Sequence, residues 1–130
     1  MSTASVPRIS LLGSTALLFE APGELDLAPQ QRIWSLALQA SEWPEIHEAV
    51  PGMNNLMLTF IQPPRDLDGL FERLLQAWDT CRPLPLEGRI VELAVVYGGE
   101  FGPHMQDVVA HTGLDIETIA NLHCEPLYPV

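Results

Sequence analysis

The chain has 130 residues, of which 47% are hydrophobic and 18% charged, and 6 Lys+Arg against 17 Asp+Glu give a formal net charge of −11. All the basic residues are arginines. This composition is typical of one compact globular domain, or of a small domain with part of another, and not of a disordered chain. Nucleic-acid binding and docking to anionic membranes both depend on basic residues, so the acidic balance argues against both functions.

The sequence shows neither a targeting segment nor a disulfide framework. Residues 1–6 lack the basic start of a signal peptide, and no apolar stretch reaches the roughly 18 residues that a membrane span needs. We therefore expect a cytoplasmic protein. Cys81 and Cys124 are predicted to be two unrelated buried thiols rather than a disulfide.

Alternating and helical hydrophobic patterns follow each other along residues 8–80. They predict strands over 9–12, 15–20, 46–50 and 54–61, with helices over about 27–43 and from Asp66 to about 80. Gly13-Ser14 is predicted as a two-residue hairpin turn. In the third strand, alternation places Ile46 on one face with Glu48 and Val50, opposite Ala49. The pattern predicts a two-layer α+β unit, ββαββα, with both helices on one face of an antiparallel sheet.

The proline-containing segment 83–88 is predicted to be a linker between a domain over 1–82 and a second one over 89–130. In the second domain, residues 89–97 form a strongly β-forming run. Two short helices are predicted after it, over about 104–111 and 116–123, separated by Gly113 and capped by Asp115. One strand and two short helices do not make a self-sufficient core, so we expect this domain to be incomplete.

The segment Tyr97-Gly98-Gly99-Glu100-Phe101-Gly102-Pro103 is the most specific motif. Glycines that lead into a helix can expose backbone N–H groups suited to phosphate or carboxylate oxygens. Tyr97, Gly98, Gly99 and Gly102 are therefore candidate ligand-binding residues, with Glu100 as a candidate catalytic acid or base. The residues alone favour a tight structural turn in which Glu100 caps the turn. The segment matches neither a Walker A loop nor the dinucleotide-binding pattern G-x-G-x-x-G.

The histidines and Cys124 predict no metal site. His104 and His111 are two helical turns apart, about 10 Å along a helix, and adjacent His123 and Cys124 do not have a zinc-ligand spacing. No partner that would orient a cysteine–histidine pair is evident in the sequence. The two short helices also imitate a helix-turn-helix, but the acidic start of the second, Asp115-Ile116-Glu117, would repel DNA phosphates.

Several blocks together resemble a known family, over about residues 8–130. They are the segment 97–103, His111-Thr112-Gly113-Leu114, Leu122-His123 and Tyr128, with weaker support from Gly13 to Leu18 and from Pro51-Gly52. The family contains the sporulation-kinase inhibitor KipI, allophanate hydrolase subunit 1 and the B subunit of 5-oxoprolinase. Ser14 stands where the family usually has an aspartate.

The resemblance implies a small α+β domain followed by a cyclophilin-like β-barrel domain, of which residues 89–130 are expected to be only the beginning. It implies one component of an ATP-dependent 5-oxoprolinase, a hydrolase that opens pyroglutamate to glutamate. Proteins like the C and A subunits of that enzyme would be its partners and ATP a co-substrate, with no firmly bound cofactor. The resemblance also allows a non-catalytic inhibitor of a sensor histidine kinase, or a component of the allophanate hydrolase or urea carboxylase type.

Overall fold

The computed structural model describes residues 6–130. Residues 1–5, which contain most of the segment used to predict the absence of a signal peptide, lie outside the described residues. The chain divides into two compact units, the first extending to Pro85 and the second running from Leu86 to Val130. The division falls inside the segment 83–88. Leu84 nevertheless donates a backbone hydrogen bond to the carbonyl of Gln31 (3.1 Å), so the start of that segment lies against the first unit.

The first unit contains one four-stranded antiparallel sheet and two helices. The strands are β1 (Arg8–Leu11), β2 (Ala16–Glu20), β3 (Ile46–Pro51) and β4 (Asn55–Phe60), and the helices are α1 (Leu27–Ser41) and α2 (Leu67–Thr80). The strand order in the sheet is β1-β2-β4-β3. The predicted ββαββα arrangement is confirmed.

Aspartate caps define where both helices begin. The Asp26 carboxylate accepts a hydrogen bond from the N–H of Leu27 (2.7 Å) at the start of α1. At the start of α2, the carboxylate of Asp66 accepts from the N–H of Gly69 (2.9 Å). Each bond satisfies a backbone donor that has no partner within the helix, which is why short acidic side chains favour this position.

The core of the first unit lies between one face of the sheet and the two helices. Alternate strand residues point into it, and the helices contribute residues three or four apart, as their hydrophobic periodicity predicts. The fully buried large side chains are Leu17, Phe19, Ile33, Leu36, Leu56, Leu58 and Leu74. Both helices therefore pack on the same face of the sheet.

Two details of the sheet differ from the sequence prediction. The N–H of Leu12 donates to the carbonyl of Ala16 (2.9 Å), so three residues rather than two lie within the first hairpin turn. In β3 the pairing register shifts between Ile46 and Glu48. Because this β-bulge adds one residue to the strand, it brings Ile46 onto the core face with Ala49 and leaves Glu48 on the other face. The strict alternation predicted for this strand is therefore wrong.

The second unit contains a 3₁₀ turn (Gly99–Phe101) and two short helices, α3 (Met105–Thr112) and α4 (Ile116–Cys124). Gly113 ends α3 in the left-handed conformation, with φ 71°, and donates its N–H to the carbonyl of Val109 (2.9 Å). The bounds of both helices agree with the predicted bounds to within about one residue. No residue between 88 and 97 belongs to a strand. The strand predicted there is absent because a strand needs a neighbouring backbone, and no described segment pairs with this one.

The second unit lacks a core of its own among its described residues. Every buried hydrophobic residue of the described chain lies between Leu17 and Trp78. Residues 90–96 instead expose Ile90, Val91, Leu93, Val95 and Val96 by 51–80%. Cys124 is also exposed and Cys81 partly buried, so the two cysteines are unpaired as predicted but not both buried.

The start of α4 depends on the charge of Asp115. A hydrogen bond from the N–H of Thr118 (2.7 Å) holds the pKa of the Asp115 carboxyl below its usual value. A lowered pKa stabilises the folded helix above the unfolded carboxyl's pKa, and this stabilisation is lost as pH falls through the folded value. We therefore expect NMR chemical shifts of residues 116–124 to show fraying of α4 in acid. Asp115→Asn, which retains a capping side chain, should remove the dependence on this carboxyl, and unchanged acid fraying in that variant would contradict the assignment.

Candidate functional site

The glycine-rich loop before α3 adopts backbone conformations that only glycine enters easily. Gly98 has φ 93° and Gly99 has φ 64°, both in the left-handed region. Gly102 has an ordinary φ, but a Cβ atom there would lie 2.4 Å from the backbone nitrogen of Gly98. The loop therefore turns back on itself: its first two glycines are favoured by backbone conformation, and the third by a close approach of two backbone segments.

The loop leaves two of its three predicted backbone donors available. Gly102 donates its N–H to the carbonyl of Gly99 (3.3 Å), and its own carbonyl accepts from Met105 (3.1 Å). Among residues 6–130, no hydrogen bond is donated by the N–H of Gly98 or of Gly99. These two N–H groups can still bind an acceptor oxygen of a ligand, whereas Gly102 closes the loop.

Glu100 lies in the 3₁₀ turn and its side chain is exposed. No hydrogen bond or ion pair within the described part of the chain involves its carboxylate, so the contact expected of a turn cap is not made. The carboxylate is therefore open to contact with a ligand or with solvent.

Tyr97, directly before the glycines, contacts the last turn of α4. Its Oη lies 2.5 Å from Nδ1 of His123 and 3.3 Å from Sγ of Cys124. These residues are 26 and 27 positions apart in the chain, so spacing alone gives no sign of the contact. The structure thus supplies the partner for the histidine and cysteine that the sequence did not reveal.

Aromatic contacts hold the imidazole of His123 on two sides. The Tyr97 ring meets it edge-on, with centroids 5.8 Å apart, and the Tyr128 ring lies 5.6 Å away at 46°. The hydroxyl of Tyr128 donates to the backbone carbonyl of His123 (2.8 Å). The contact with Cys124 is the largest of the effects that raise the pKa of Tyr97 to about 12, so its phenol is protonated at neutral pH. We call Tyr97, His123, Cys124 and Tyr128 the tyrosine–histidine cluster.

The remaining histidines do not join this cluster. His104 precedes α3 and pairs with Asp107 (3.5 Å), and His111 lies in the last turn of that helix. Within residues 6–130, no three His, Cys, Asp or Glu side chains are grouped so that they could hold a metal ion. The second unit contains one arginine, Arg89, against seven acidic residues. An anionic ligand would therefore depend on backbone N–H groups and histidine rather than on arginines.

A cavity of about 170 Å³ lies in the first unit beside the turn between β1 and β2. Its lining consists of apolar residues and prolines, with Gly13 and Ser14, and contains no titratable side chain. Such a lining offers no acid, base or charged group for chemistry. The loop and the tyrosine–histidine cluster of the second unit are therefore the stronger candidate site.

Comparison with known proteins assigns the chain to a family. The family model "Carboxyltransferase domain, subdomain C and D" matches residues 7–130. The chain belongs to this family. The match includes the whole candidate site, and the family that the loop motif indicated in the sequence is confirmed.

Two curated relatives of this carboxyltransferase-family chain bear the same name. The 5-oxoprolinase B subunit of Escherichia coli O157:H7 is 38% identical over 123 residues, which are 95% of this chain and 56% of the relative. The protein of that name from Haemophilus influenzae is 33% identical and is covered to 55%. The chain thus spans about half the length of the curated relatives it matches.

A solved structure shares the fold. The crystal structure of TTHA0988 matches with a TM-score of 0.63 and 29% identity, over 87% of this chain and 22% of that chain. This agrees with a mixed α and β fold of the carboxyltransferase type. In the described residues, no helix is long and apolar enough to cross a membrane.

Proposed function

We propose that the chain is a B-type component of an ATP-dependent 5-oxoprolinase in the cytoplasm. The observation that carries the proposal is 38% identity, over nearly the whole chain, to a protein named as the B subunit of 5-oxoprolinase. In the reaction, water adds across the C–N bond of the lactam ring and gives glutamate, while ATP is hydrolysed. ATP is a co-substrate of the assembly, and we place no nucleotide site in this chain, which lacks a Walker A motif.

The glycine-rich loop supports this chemistry because it offers both kinds of group that lactam opening uses. The free N–H groups of Gly98 and Gly99 suit an oxygen of the substrate that carries partial or full negative charge. Glu100, exposed and unpaired in the described residues, suits proton transfer to or from the ring nitrogen or the attacking water.

Partner polypeptides are part of the proposal because residues 90–96 cannot remain exposed in a working assembly. In an extended segment Val91, Leu93 and Val95 would form one apolar face, and the other face would be apolar except at Glu92. Segments of this kind are typical of strands buried on both faces. We infer that further polypeptide covers this segment, from proteins like the C and A subunits of 5-oxoprolinase or from a region like the part of the relatives that this chain does not match.

The test combines the chain with these C-type and A-type partner proteins and measures 5-oxoproline-dependent ATP hydrolysis and glutamate formation. Both activities should require the chain, which should be inactive alone. Glu100→Gln is expected to lower glutamate formation by about 100-fold, the usual effect of losing a general acid or base. Gly99→Val should also lower it, because valine strains a backbone with φ 64°.

Two matched variants control for the charge and for the glycine. Glu87→Gln removes an exposed carboxylate of the same unit, and Gly88→Val adds a side chain where nothing lies within 4 Å; both should leave turnover unchanged. Full turnover in Glu100→Gln and Gly99→Val would refute the site. A purely binding function, such as inhibition of a sensor histidine kinase through the exposed segment, would give no glutamate at all.

A further inference from the structure

The imidazole of His123 is the most firmly held side chain of the candidate site that the proposed reaction has not used. Its Nδ1 faces the hydroxyl of Tyr97 at 2.5 Å, and tyrosine rings lie on two sides of it. Among the hydrogen bonds of residues 6–130, none involves Nε2. Nδ1 is therefore held by a contact within the protein, and Nε2 remains available to bind a ligand.

We propose that Tyr97 is a positioning residue that donates its hydroxyl proton to Nδ1 of His123, so that the neutral imidazole carries its own proton on Nε2 and offers that N–H to a ligand. In a neutral imidazole one nitrogen donates and the other accepts, so a proton donated to Nδ1 decides the tautomer. This inference rests on the proposed function, because it assigns His123 to the same ligand site as the glycine-rich loop.

The thiol of Cys124 does not compete effectively with Nδ1 of His123 for the hydroxyl proton of Tyr97. Tyr97 Oη lies 3.3 Å from Sγ of Cys124, but thiol sulfur is a weak acceptor whereas imidazole nitrogen is a strong one. The phenol proton therefore goes to Nδ1 of His123 rather than to Sγ of Cys124. Because the phenol stays protonated well above neutral pH, it is available as a donor throughout the physiological range.

An Nε2–H group selects ligands that carry an acceptor oxygen. The lactam carbonyl and the carboxylate of 5-oxoproline are both acceptors of this kind. Arg89 is the only arginine in residues 86–130, so this unit offers almost no permanently charged donor to such an oxygen. His123, which contacts the residue directly before the glycine-rich loop, would therefore bind an oxygen of the substrate.

The tautomer can be measured in the full chain by long-range ¹H–¹⁵N NMR of the histidine side chains. We expect the Nε2–H form for His123 in the wild type and a mixture of both forms in Tyr97→Phe. Tyr128→Phe is the matched control, because the Tyr128 hydroxyl bonds to the backbone carbonyl and not to the ring; it should keep the Nε2–H form. Backbone shifts of residues 116–124 show that α4 is intact in each variant.

The wild-type spectrum alone can overturn the positioning role, since an Nδ1–H form is incompatible with it. An unchanged tautomer in Tyr97→Phe, with α4 intact, overturns it as well. Adding 5-oxoproline tests the ligand separately: the Nε2 signal should move, and a tautomer as expected with no such movement refutes His123 as a ligand residue. Because none of these readouts requires turnover, failure of the positioning role is distinguishable from failure of the proposed enzyme activity.

Discussion

Phe19→Ala is expected to lower the free energy of unfolding of the first unit by about 3–5 kcal/mol, the usual cost of truncating a buried phenylalanine. Phe19 is 0% exposed in the centre of the sheet, and its ring lies 5.3 Å from that of Trp78 on α2. Truncation removes this contact between sheet and helix and leaves a cavity. All three tryptophans of the chain lie in the first unit, so urea unfolding followed by tryptophan fluorescence reports on that unit.

Leu38→Ala is the matched control for this experiment. Leu38 lies on α1 but is 60% exposed, so its truncation opens no cavity and should change the unfolding free energy by less than about 0.5 kcal/mol. Similar losses in the two variants would mean that the sheet and α2 do not share a packed core around Phe19. A variant that also changes the denaturant dependence would have altered more than this contact.

The helices were predictable because local signals mark most of their ends and because hydrophobic periodicity marks the buried faces of α1 and α2. Asp26, Asp66 and Asp115 all supply a side-chain cap in the structure, and Gly113 ends α3 with the positive φ that favours glycine. These bonds form within a few residues of the chain, so the sequence contains nearly all the information that they need.

The sheet was predictable only in part, because strands depend on their neighbours. The bulge in β3 changes which residues face the core, and nothing in the alternation around Ile46 marks where the register shifts. Residues 90–96 have a strong β-forming composition but belong to no strand in the described chain. The composition of a segment shows that it can form a strand. It does not show whether a neighbouring strand is present to pair with it.

The candidate site divides in the same way. The loop motif is contiguous, so the sequence alone drew attention to Gly98, Gly99 and Glu100. The contact between Tyr97 and His123 joins residues 26 positions apart and depends on where α4 returns relative to the loop. Adjacent His123 and Cys124 had no evident partner in the sequence, because a tyrosine gains this role only through tertiary structure.

If the proposed function holds, Gly102→Ala is expected to lower turnover of 5-oxoproline by the proposed assembly on the order of 100-fold, as a misplacement of about 1 Å can do. The added Cβ would lie 2.4 Å from the nitrogen and 2.9 Å from the Cα of Gly98. Both atoms are backbone, so no side-chain rotation relieves the clash and the loop must open. Amide shifts of residues 98–102 in the chain alone should move with it, which ties the loss of activity to the loop.

Alanine substitutions at Gly102, Gly99 and Gly88 test three effects separately. They are the close approach of Gly102 to Gly98, the backbone conformation of Gly99, and the general effect of an added methyl group. Gly99 has open space around it but φ 64°, so alanine there should cost only strain of about 1–2 kcal/mol and affect turnover less. Gly88 has neither constraint and should tolerate alanine. If Gly99→Ala proves more harmful than Gly102→Ala, the site requires the left-handed turn rather than the contact between Gly98 and Gly102. The free N–H groups of Gly98 and Gly99 would then depend on backbone conformation alone.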